Sequence, residues 1–302
     1  LERGDRVLLM GRDFGPAAEL VAAGAAPVRA DLRDRAAVAA ACAGVDAVVH
    51  AGALSAPWGP REAFHAVNVG GTEGVIEGCR AHGVARLVHV SSPSVTFDGR
   101  EVRDQTEDAP YPRRFASVYS LTKKGAEDRV NAARDVPSVI LRPKAIFGPG
   151  DRALLPRLVS AARLGRLPRV GDGKNLVDLT YVENVVQAIL LAIDSTAAVG
   201  RTYTITNDEH VPLWDAIRSV LTRLGVSARL RPVPLPVVLA AAALMEARAA
   251  VTGKEPTLTR YSAAILARTQ TYDLSAAKRD LGYAPAVSVA EGIDRTLAAW
   301  TE

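Results

Sequence analysis

Two side chains with acid-base chemistry, Tyr119 and Lys123, stand four residues apart in the segment YSLTK. The surrounding stretch, 117–133, is predicted to be a helix, on which this spacing places both residues on one face. A phenol with a pKa of about 10 is a weak acid-base catalyst at neutral pH, and a nearby ammonium group favours its ionised form. The pair predicts a tuned proton donor, although the same spacing is also common on helix surfaces.

A group of serines precedes this pair in the segment VHVSSPSV (88–95). Ser91, Ser92 and Ser94 follow a short apolar run that is predicted to be a strand. A hydroxyl at the carboxyl end of a parallel strand can donate a hydrogen bond to an oxygen that gains negative charge during a reaction. The serines and the phenol together indicate chemistry at a carbonyl or hydroxyl oxygen.

The elements that must position these residues alternate between strands and helices in the first half of the chain. The predicted strands are 6–10, 26–29, 46–50, 86–91 and 138–142, and the predicted helices between them are 36–43, 61–82 and 117–133. This alternation predicts an α/β fold with a Rossmann-type doubly wound parallel sheet in residues 1–150.

After Pro143 the predicted helices become longer and the strands fewer. The helices are predicted at 154–164, 182–193 and 212–224. We interpret 151–302 as a smaller, mostly helical substrate lobe, partly interleaved with the first domain. Such a lobe is expected at the carboxyl ends of the strands, where open α/β sheets bind their ligands.

The composition is that of a globular protein without nucleic-acid partners. Among 302 residues 48% are hydrophobic, and the net charge of +4 is spread without a basic run that contains aromatic residues. Cys42 and Cys79 lack metal-ligand or disulfide spacing, which predicts no metal site and a cytoplasmic location. The apolar stretch 233–245 is predicted to be too short to span a bilayer and to face the core or a substrate rather than a membrane surface.

Several motifs together resemble the extended short-chain dehydrogenase/reductase family, in particular its 3β-hydroxysteroid dehydrogenase and 2-alkyl-3-oxoalkanoate reductase branch. They are VHVSSPSV, YSLTK, LRPKAIFGPGD (141–151), WGPREAFHAVNVGGTEGV (58–75) and LTRYSAAILARTQTYDLSAAKRDLGYAP (258–285). The resemblance covers nearly the whole chain. It implies an NAD(P)-dependent oxidoreductase that interconverts a ketone and a secondary alcohol on a hydrophobic 3-oxo or 3-hydroxy compound, either a β-keto acid or a steroid-like ring.

The resemblance also implies roles for individual residues. Ser92 matches the catalytic serine, Tyr119 the acid-base residue, and Lys123 the lysine that holds the cofactor ribose and tunes the tyrosine. Asn68 matches the asparagine that supports this lysine and its proton-relay water, and the alternative is a helix-kink or capping asparagine. For the substrate we expect contacts with Trp58, Ser92, Pro93 and Tyr119.

The cofactor contacts implied by the resemblance lie on four segments. They comprise Arg12, Asp31, Leu32, His50, Ala51, Gly52, Ala53, Tyr119, Lys123, Pro143, Ala145 and Ile146. Gly11 stands where relatives that use NAD carry an acid, and the Arg12 guanidinium suits a 2'-phosphate, which favours NADP(H). Asp13 follows one position later and leaves NAD(H) open.

The usual glycine-rich turn that holds the pyrophosphate of a dinucleotide is not found near the start of the sequence. The opening LERGDRVLLM reads as the end of a first helix followed by the second strand of a Rossmann fold. We therefore expect that roughly 25 to 30 residues, one strand, turn and helix, precede Leu1 in the complete protein.

The sequence also allows two other functions and a homodimeric assembly. Nucleotide-sugar epimerases and dehydratases share the same serine, tyrosine and lysine, and Arg152, Arg157 and Lys174 are candidates to bind a diphosphate. A non-catalytic NADP(H) sensor or scaffold is the alternative from another class, but it gives no chemical reason to retain Ser92, Tyr119 and Lys123. The family resemblance also implies a possible homodimer through the helices 61–82 and 117–133.

Overall fold

The computed structural model describes residues 1–227 and 229–300. Its strands are β1 Leu8–Gly11, β2 Ala26–Arg29, β3 Ala47–His50, β4 Arg86–Val90, β5 Val102–Gln105, β6 Ser138–Pro143, β7 Ile146–Phe147, β8 Arg169–Val170, β9 Leu176–Asp178, β10 Thr180–Tyr181, β11 Thr202–Ile205, β12 His210–Pro212, β13 Pro232–Val233 and β14 Gln270–Tyr272. Its α-helices are α1 Ala18–Ala22, α2 Arg35–Ala41, α3 Arg61–Phe64, α4 Gly71–His82, α5 Val118–Ala132, α6 Leu155–Arg163, α7 Val182–Asp194, α8 Leu213–Arg223, α9 Leu235–Thr252, α10 Arg260–Ala267, α11 Ser275–Leu281 and α12 Val289–Ala298.

The predicted parallel α/β sheet is confirmed, but in the described residues it lies in two parts. Strands β3, β4, β6 and β11 form a four-stranded parallel sheet in the order β11-β6-β4-β3, and β1 pairs in parallel with β2 alone. All six residues of β6 are buried, because helices cover both faces of a parallel sheet. The last strand of the main sheet, β11, comes from the second half of the chain.

Close contact between α2 and α4 depends on two glycines of α4. A Cβ atom on Gly78 would lie 2.8 Å from the Cα of Ala39, and one on Gly74 would lie 3.2 Å from the Cα of Arg35. The buried thiols of Cys42 and Cys79 lie in the same packed cluster as Val38. The two cysteines are therefore core thiols, as the sequence predicts.

The long helix predicted for 61–82 is continuous, but its central segment is not α-helical. Residues His65–Gly70 have π-helical hydrogen bonding and join α3 to α4. A π-helical turn widens the helix and turns side chains out of their regular positions, and it is often found at functional sites. Asn68 lies in this turn.

The second half of the chain adds the helices α6 to α12 and a small sheet in the order β12-β9-β14-β5. Strand β5 of this sheet comes from the first half, so the two lobes exchange strands. Trp214 is fully buried in the second-lobe core, in one cluster with residues of α6, α9 and α10.

The prediction for the apolar stretch 233–245 is wrong in length, because α9 runs from Leu235 to Thr252. The second half of the helix is not evident from the sequence, because Glu246 and Arg248 interrupt the apolar run but continue the helix instead of ending it. Among the described residues α9 is the one helix with the length and apolar composition of a membrane span, and only 17% of it is buried.

Candidate active site

The serine segment and the start of α5 meet beyond the carboxyl end of β4. Ser92 begins a short 3-10 turn, and its Oγ accepts a hydrogen bond from the Ser94 amide at 3.2 Å. Ser117 caps α5 in the same way by accepting from the Ser120 amide at 3.0 Å. Both caps satisfy amides that have no partner within the turn, so they fix where Ser92 and the first turn of α5 lie.

Tyr119 lies beside Ser92 and also beside Ser55, which is not predicted from the sequence. Burial raises the pKa of the Tyr119 phenol, and hydrogen bonding to Ser55 and Ser92 acts against this rise. Ser91 and Ser94 are 4% and 7% exposed, whereas Ser92 is half-buried. Of the three candidate serines, Ser92 is therefore the one whose hydroxyl acts on the phenol.

The relation between Lys123 and Tyr119 differs from the expected one. The Lys123 ammonium donates to the Val90 carbonyl at 2.8 Å and lies 3.3 Å from Nε2 of His89, on the inner side of α5. Burial lowers the pKa of Lys123 to about 8, and Glu127 acts against this. Because the ammonium is held at β4, the groups that lower the pKa of the phenol here are the two serines.

Asn68 fixes the loop after β3 rather than contacting Lys123. Its side-chain oxygen accepts from the Leu54 amide at 2.7 Å, and its amide group donates to the Leu54 carbonyl at 3.1 Å and to Thr122 Oγ1 at 3.0 Å. The Asn68 side chain is 1% exposed and lies in the π-helical turn. Asn68 therefore joins α5, next to Lys123, to the loop that carries Ser55.

A buried ion pair attaches α5 to β6 one turn beyond Lys123. Arg142 donates to both carboxylate oxygens of Glu127 at 2.8 and 2.7 Å, and their side chains are 4% and 0% exposed. Tyr111 donates to Glu127 at 2.9 Å and accepts from Arg142 at 2.9 Å. Sequence reasoning had no signal for this cluster, because its three members are far apart along the chain.

The ring nitrogen Nε2 of His50 makes a structural hydrogen bond to Thr72. Thr72 donates its hydroxyl hydrogen to the Asn68 carbonyl at 2.7 Å, so Nε2 of His50, 2.9 Å from Thr72 Oγ1, is the donor to Thr72. Burial lowers the pKa of His50 to about 3, and the charge of Lys123 lowers it further, which keeps the ring neutral. No cluster that could hold a metal ion is present in the described ranges 1–227 and 229–300.

Small residues at the end of β3 leave room for a dinucleotide. Ala51 and Gly52 are exposed and Ala53 is half-buried. A Cβ on Gly52 would lie 2.8 Å from Cδ1 of Leu32, so the backbone here passes directly over the loop after β2. These residues fit a nicotinamide cofactor, because its diphosphate and adenosine need close approach of the backbone at the carboxyl ends of the strands.

Asp31 is held by two arginines at the adenosine end of this groove. Arg33 donates to both Asp31 carboxylate oxygens at 3.0 and 2.7 Å, and Arg12 lies 3.8 Å away with its side chain 75% exposed. Hydrogen bonding to Arg33 holds the pKa of Asp31 well below its usual range. The carboxylate is charged, but two guanidinium groups outweigh it locally, and of these two arginines only Arg12 is predicted from the sequence.

The predicted nicotinamide loop follows β6. Pro143 is buried in the strand, Ala145 is half-buried and Ile146 is 39% exposed. Ala145 has a φ of 45°, a left-handed conformation that costs energy in a residue with a side chain. The amide of Lys144 donates to Ile205 of β11 at 3.0 Å, which holds the loop in this shape.

A cavity of about 730 Å³ opens beside Tyr119 between the main sheet and the C-terminal helices. Trp58 lines it as predicted, while Ser92, whose hydroxyl contacts the Tyr119 phenol, and Pro93 are not among its lining residues. Its size is within the range of cavities that hold small ligands. The other residues that line its wall include Phe64, Phe115, Leu235, Leu239 and Tyr261.

Charged groups lie on the same cavity wall. Glu246 accepts from the backbone and side chain of Arg260, both at 2.7 Å, which neutralises this pair. Arg114 also lines the cavity, and no carboxylate of the described part of the chain pairs with it. Arg114 is not predicted from the sequence, because one arginine in a loop of prolines and arginines carries no signal of its own.

The comparisons with known proteins identify the family of the chain. The profile of the 3-beta hydroxysteroid dehydrogenase/isomerase family matches residues 17–237. A 2-alkyl-3-oxoalkanoate reductase of Stenotrophomonas maltophilia is 40% identical over 308 aligned positions, which cover 99% of this chain and 93% of that protein. A decarboxylating sterol-4-alpha-carboxylate 3-dehydrogenase of Saccharomyces cerevisiae is 39% identical over 248 positions, which cover 78% of this chain and 71% of that protein.

Solved structures show the same fold at lower identity. A dTDP-glucose 4,6-dehydratase of Streptomyces venezuelae with NAD bound superposes with a TM-score of 0.75 at 24% identity, covering 98% of this chain and 87% of that one. A UDP-glucuronic acid 4-epimerase of Bacillus cereus in complex with NAD gives 0.72 at 21% identity, covering 95% and 84%. The chain belongs to the 3-beta hydroxysteroid dehydrogenase/isomerase family and is an extended short-chain oxidoreductase that acts on CH–OH groups with a nicotinamide cofactor.

Proposed function

We propose that this enzyme reduces a hydrophobic 3-oxo acid to the 3-hydroxy acid with NADPH, in a reversible reaction. The observation that carries the proposal is the position of Tyr119. Its phenol is in contact with the Ser92 and Ser55 hydroxyls and lines an apolar cavity that also holds an unpaired cation, Arg114.

The chain's own residues supply the groups that a carbonyl reduction requires. Ser92 and Ser55 donate hydrogen bonds to the ketone oxygen as it gains negative charge, and Tyr119 gives that oxygen its proton. When bound, NADPH supplies the hydride that forms the new C–H bond and leaves as NADP⁺. The products balance as one secondary alcohol and one oxidised cofactor for each ketone and proton consumed.

Lys123 and its neighbours hold the site in shape. With a pKa of about 8 the ammonium remains protonated at pH 7, where it is suited to donate to the ribose hydroxyls of the cofactor. Its bond to the Val90 carbonyl ties α5 to β4, the strand that ends at the catalytic serine. The loop of Pro143 and Ala145 is suited to contact the nicotinamide carboxamide through its backbone.

The preference for NADPH is supported by the charges around Asp31. Arg12 and Arg33 both lie within ion-pair distance of this carboxylate, and Arg12 keeps a largely exposed guanidinium. A 2'-phosphate placed here meets a net positive charge, whereas the 2'-hydroxyl of NADH gains little from it.

The 3-oxo acid is favoured over a neutral ring by Arg114. An unpaired guanidinium at the edge of the cavity recognises a carboxylate, because hydrogen bonds between arginine and a carboxylate are charge-assisted and can be bidentate. A neutral steroid leaves this cation without a partner. The name of the Stenotrophomonas maltophilia relative, a 2-alkyl-3-oxoalkanoate reductase, agrees with this choice.

The test follows NADPH absorbance with one 3-oxo acid, its methyl ester, a 3-oxosteroid and UDP-sugars. We expect turnover of the acid, and Tyr119→Phe is expected to lower kcat by about 10²- to 10⁴-fold. Arg114→Gln is expected to raise KM for the acid about 10- to 100-fold and to leave the ester unchanged, since a charged hydrogen bond contributes about 1.5–3 kcal/mol. Arg113→Gln, one residue away and outside the cavity wall, is the matched control.

Each alternative has its own result in the same panel. Conversion of a UDP-sugar without a net change in NADPH would identify an epimerase. Binding of NADPH with no turnover of any substrate would identify a sensor. Equal effects of Arg114→Gln on acid and ester would remove the argument for a carboxylate.

A further inference from the structure

Two buried histidines lie side by side on the face of the main sheet that α4 and α5 cover. His50 of β3 and His89 of β4 are paired in the strand register, and their ring centroids are 5.2 Å apart. The nearest positions on this face are apolar, since Leu87 of β4 and Ile140 of β6 belong to one core cluster with residues of α4 and α5. An imidazole at position 89 therefore has a free-energy cost, because a buried polar ring loses its contacts with water.

His89 contacts the Lys123 ammonium directly. The Lys123 Nζ atom lies 3.3 Å from Nε2 of His89 and donates to the Val90 carbonyl at 2.8 Å. His89 is 0% exposed and Lys123 is 1% exposed, so neither contact competes with bulk water. An ammonium group can only donate, so Nε2 is the acceptor and the ring hydrogen lies on Nδ1.

The His89 ring is neutral, as it must be to accept this hydrogen bond. Burial lowers the pKa of His89 well below its ordinary value, and the neighbouring Lys123 and His50 act in the same direction. His50 is neutral too, and its Nε2 donates to Thr72. Nδ1 of His89 has no hydrogen-bond partner in the described part of the chain. Among the described residues, the one polar contact of the His89 ring is therefore the contact with Lys123.

We propose that His89 is a positioning residue of this oxidoreductase, whose Nε2 accepts a hydrogen bond from the Lys123 ammonium and holds it at the end of β4. The Val90 carbonyl binds one of the three ammonium hydrogens, and the imidazole binds a second. The third remains for the cofactor ribose, to which Lys123 is suited to donate. A residue with a packing role alone would be apolar at this position, as its neighbours on the sheet are.

The support for Lys123 that the family resemblance assigns to Asn68 falls to His89 in this structure. The Asn68 side chain bonds to the backbone of Leu54 and to Thr122. The groups that hold the ammonium come from β4 instead.

The titratable groups around Lys123 belong to the three neighbouring strands and to α5. They are His50 of β3, His89 of β4, Arg142 of β6, and Tyr119 and Glu127 of α5. Glu127 raises the pKa of Lys123 by its charge, although its carboxylate is paired with Arg142 at 2.7 Å. His89 differs from Glu127 because it acts on the ammonium through a hydrogen bond. Loss of this acceptor is therefore expected to disfavour the charged form of Lys123.

The experiment follows the titration of Lys123 by NMR in the full-length protein, labelled at the ε carbon of lysine, without cofactor or substrate. Lys123→Arg assigns the signal. His89→Leu is expected to lower the midpoint by about one pH unit, because the charged form loses a hydrogen bond. His89→Gln is expected to restore most of this shift, since the Gln amide group places an acceptor near the position of Nε2. His89→Asn is not expected to restore it, because the shorter amide group ends near the position of Nδ1.

The pH profile of kcat/KM, with whichever substrate is turned over, provides a second readout. His89→Leu is expected to move its alkaline decline in the same direction as the NMR midpoint, and His89→Gln to leave it near that of wild type. Ile140→Val is the matched control for packing, since Ile140 pairs with His89 in the sheet. It is expected to lower the melting temperature and to move neither pH value.

Circular dichroism and melting curves confirm that each variant folds, and if His89→Leu does not, the Gln and Asn variants decide the question against wild type. An unchanged Lys123 midpoint in His89→Leu, equal midpoints in the Gln and Asn variants, or the same shift in Ile140→Val overturns the proposal. The NMR titration uses no substrate, so a failure of the 3-oxo acid proposal would be a separate result.

Discussion

The buried pair of Glu127 and Arg142 provides the sharpest test of how the active site is held. Glu127→Gln removes the negative charge but keeps the size of the side chain. Arg142 then remains charged, 4% exposed and without a compensating carboxylate at 2.7 Å. Because α5 carries Tyr119 and Lys123, loss of this attachment affects both stability and catalysis.

The expected cost follows from the burial of the pair. Removing one partner of a buried ion pair costs about 3–5 kcal/mol, a large share of the roughly 5–15 kcal/mol by which a domain is stable. The melting temperature is expected to fall by about 10 °C. Asp128→Asn is the matched control, since Asp128 pairs with Lys124 on the exposed side of the same helix, where such a pair contributes at most about 0.5 kcal/mol.

Urea unfolding of wild type, Glu127→Gln, Arg142→Met and the double variant Glu127→Leu/Arg142→Met measures the free energies. The double variant is expected to recover most of the loss, because it leaves no buried charge. If Glu127→Gln is as mild as Asp128→Asn, or the double variant is worse than both single changes, the reasoning about the pair is refuted.

Three further predictions concern the cofactor, pH and packing. Arg12→Ala is expected to lower the NADPH/NADH ratio of kcat/KM about tenfold, through loss of a charged contact with the 2'-phosphate. Burial lowers the pKa of His210, but the hydrogen bond to Asp178 at 2.7 Å acts against this, and on balance the pKa is raised. The protonated His210 therefore adds to the free energy of unfolding. This contribution is complete below a pH of about 6.5 and is lost as the pH rises through the pKa of the folded state. His210→Gln is expected to flatten this decline in urea unfolding. Gly78→Ala is expected to cost about 1–3 kcal/mol in the same measurement, because the new Cβ would meet Ala39 at 2.8 Å.

The parts of the fold that the sequence predicts well are those with local signals. Strands such as 86–90 and 138–143 are short apolar runs, and the start of α5 is marked by the capping Ser117. The YSLTK spacing needs only helix geometry to place Tyr119 and Lys123 one turn apart on α5, but it does not reveal that the ammonium is held at the Val90 carbonyl of β4. These features depend on neighbours in the chain, so periodicity and propensity are sufficient to find them.

The missed features depend on contacts between distant segments. Ser55 reaches Tyr119 only because Asn68 in the π-helical turn pins the preceding Leu54. Arg114 is one of several arginines in its loop, and its place in the cavity depends on α9 and α10. The end of α9 was misplaced because Glu246 faces inward to Arg260, where a charge does not interrupt a helix.

The pKa values at the site connect its geometry to the direction of the reaction. Reduction of a ketone needs a protonated phenol, and burial raises the pKa of Tyr119, so the free enzyme holds this proton throughout the neutral range. Lys123, with a pKa lowered to about 8, loses its proton first as pH rises. The alkaline decline of kcat/KM for reduction is therefore expected near pH 8 and is assigned to Lys123.

Two variants separate this assignment from one to the phenol. Glu127 raises the pKa of Lys123, so Glu127→Gln is expected to move the alkaline decline to lower pH. Ser55 lowers the pKa of Tyr119, so Ser55→Ala raises that pKa further and is expected to leave the decline in place while lowering kcat. A decline that shifts with Ser55→Ala and not with Glu127→Gln would instead belong to Tyr119, and the ammonium would then act only through its bonds to β4 and the cofactor.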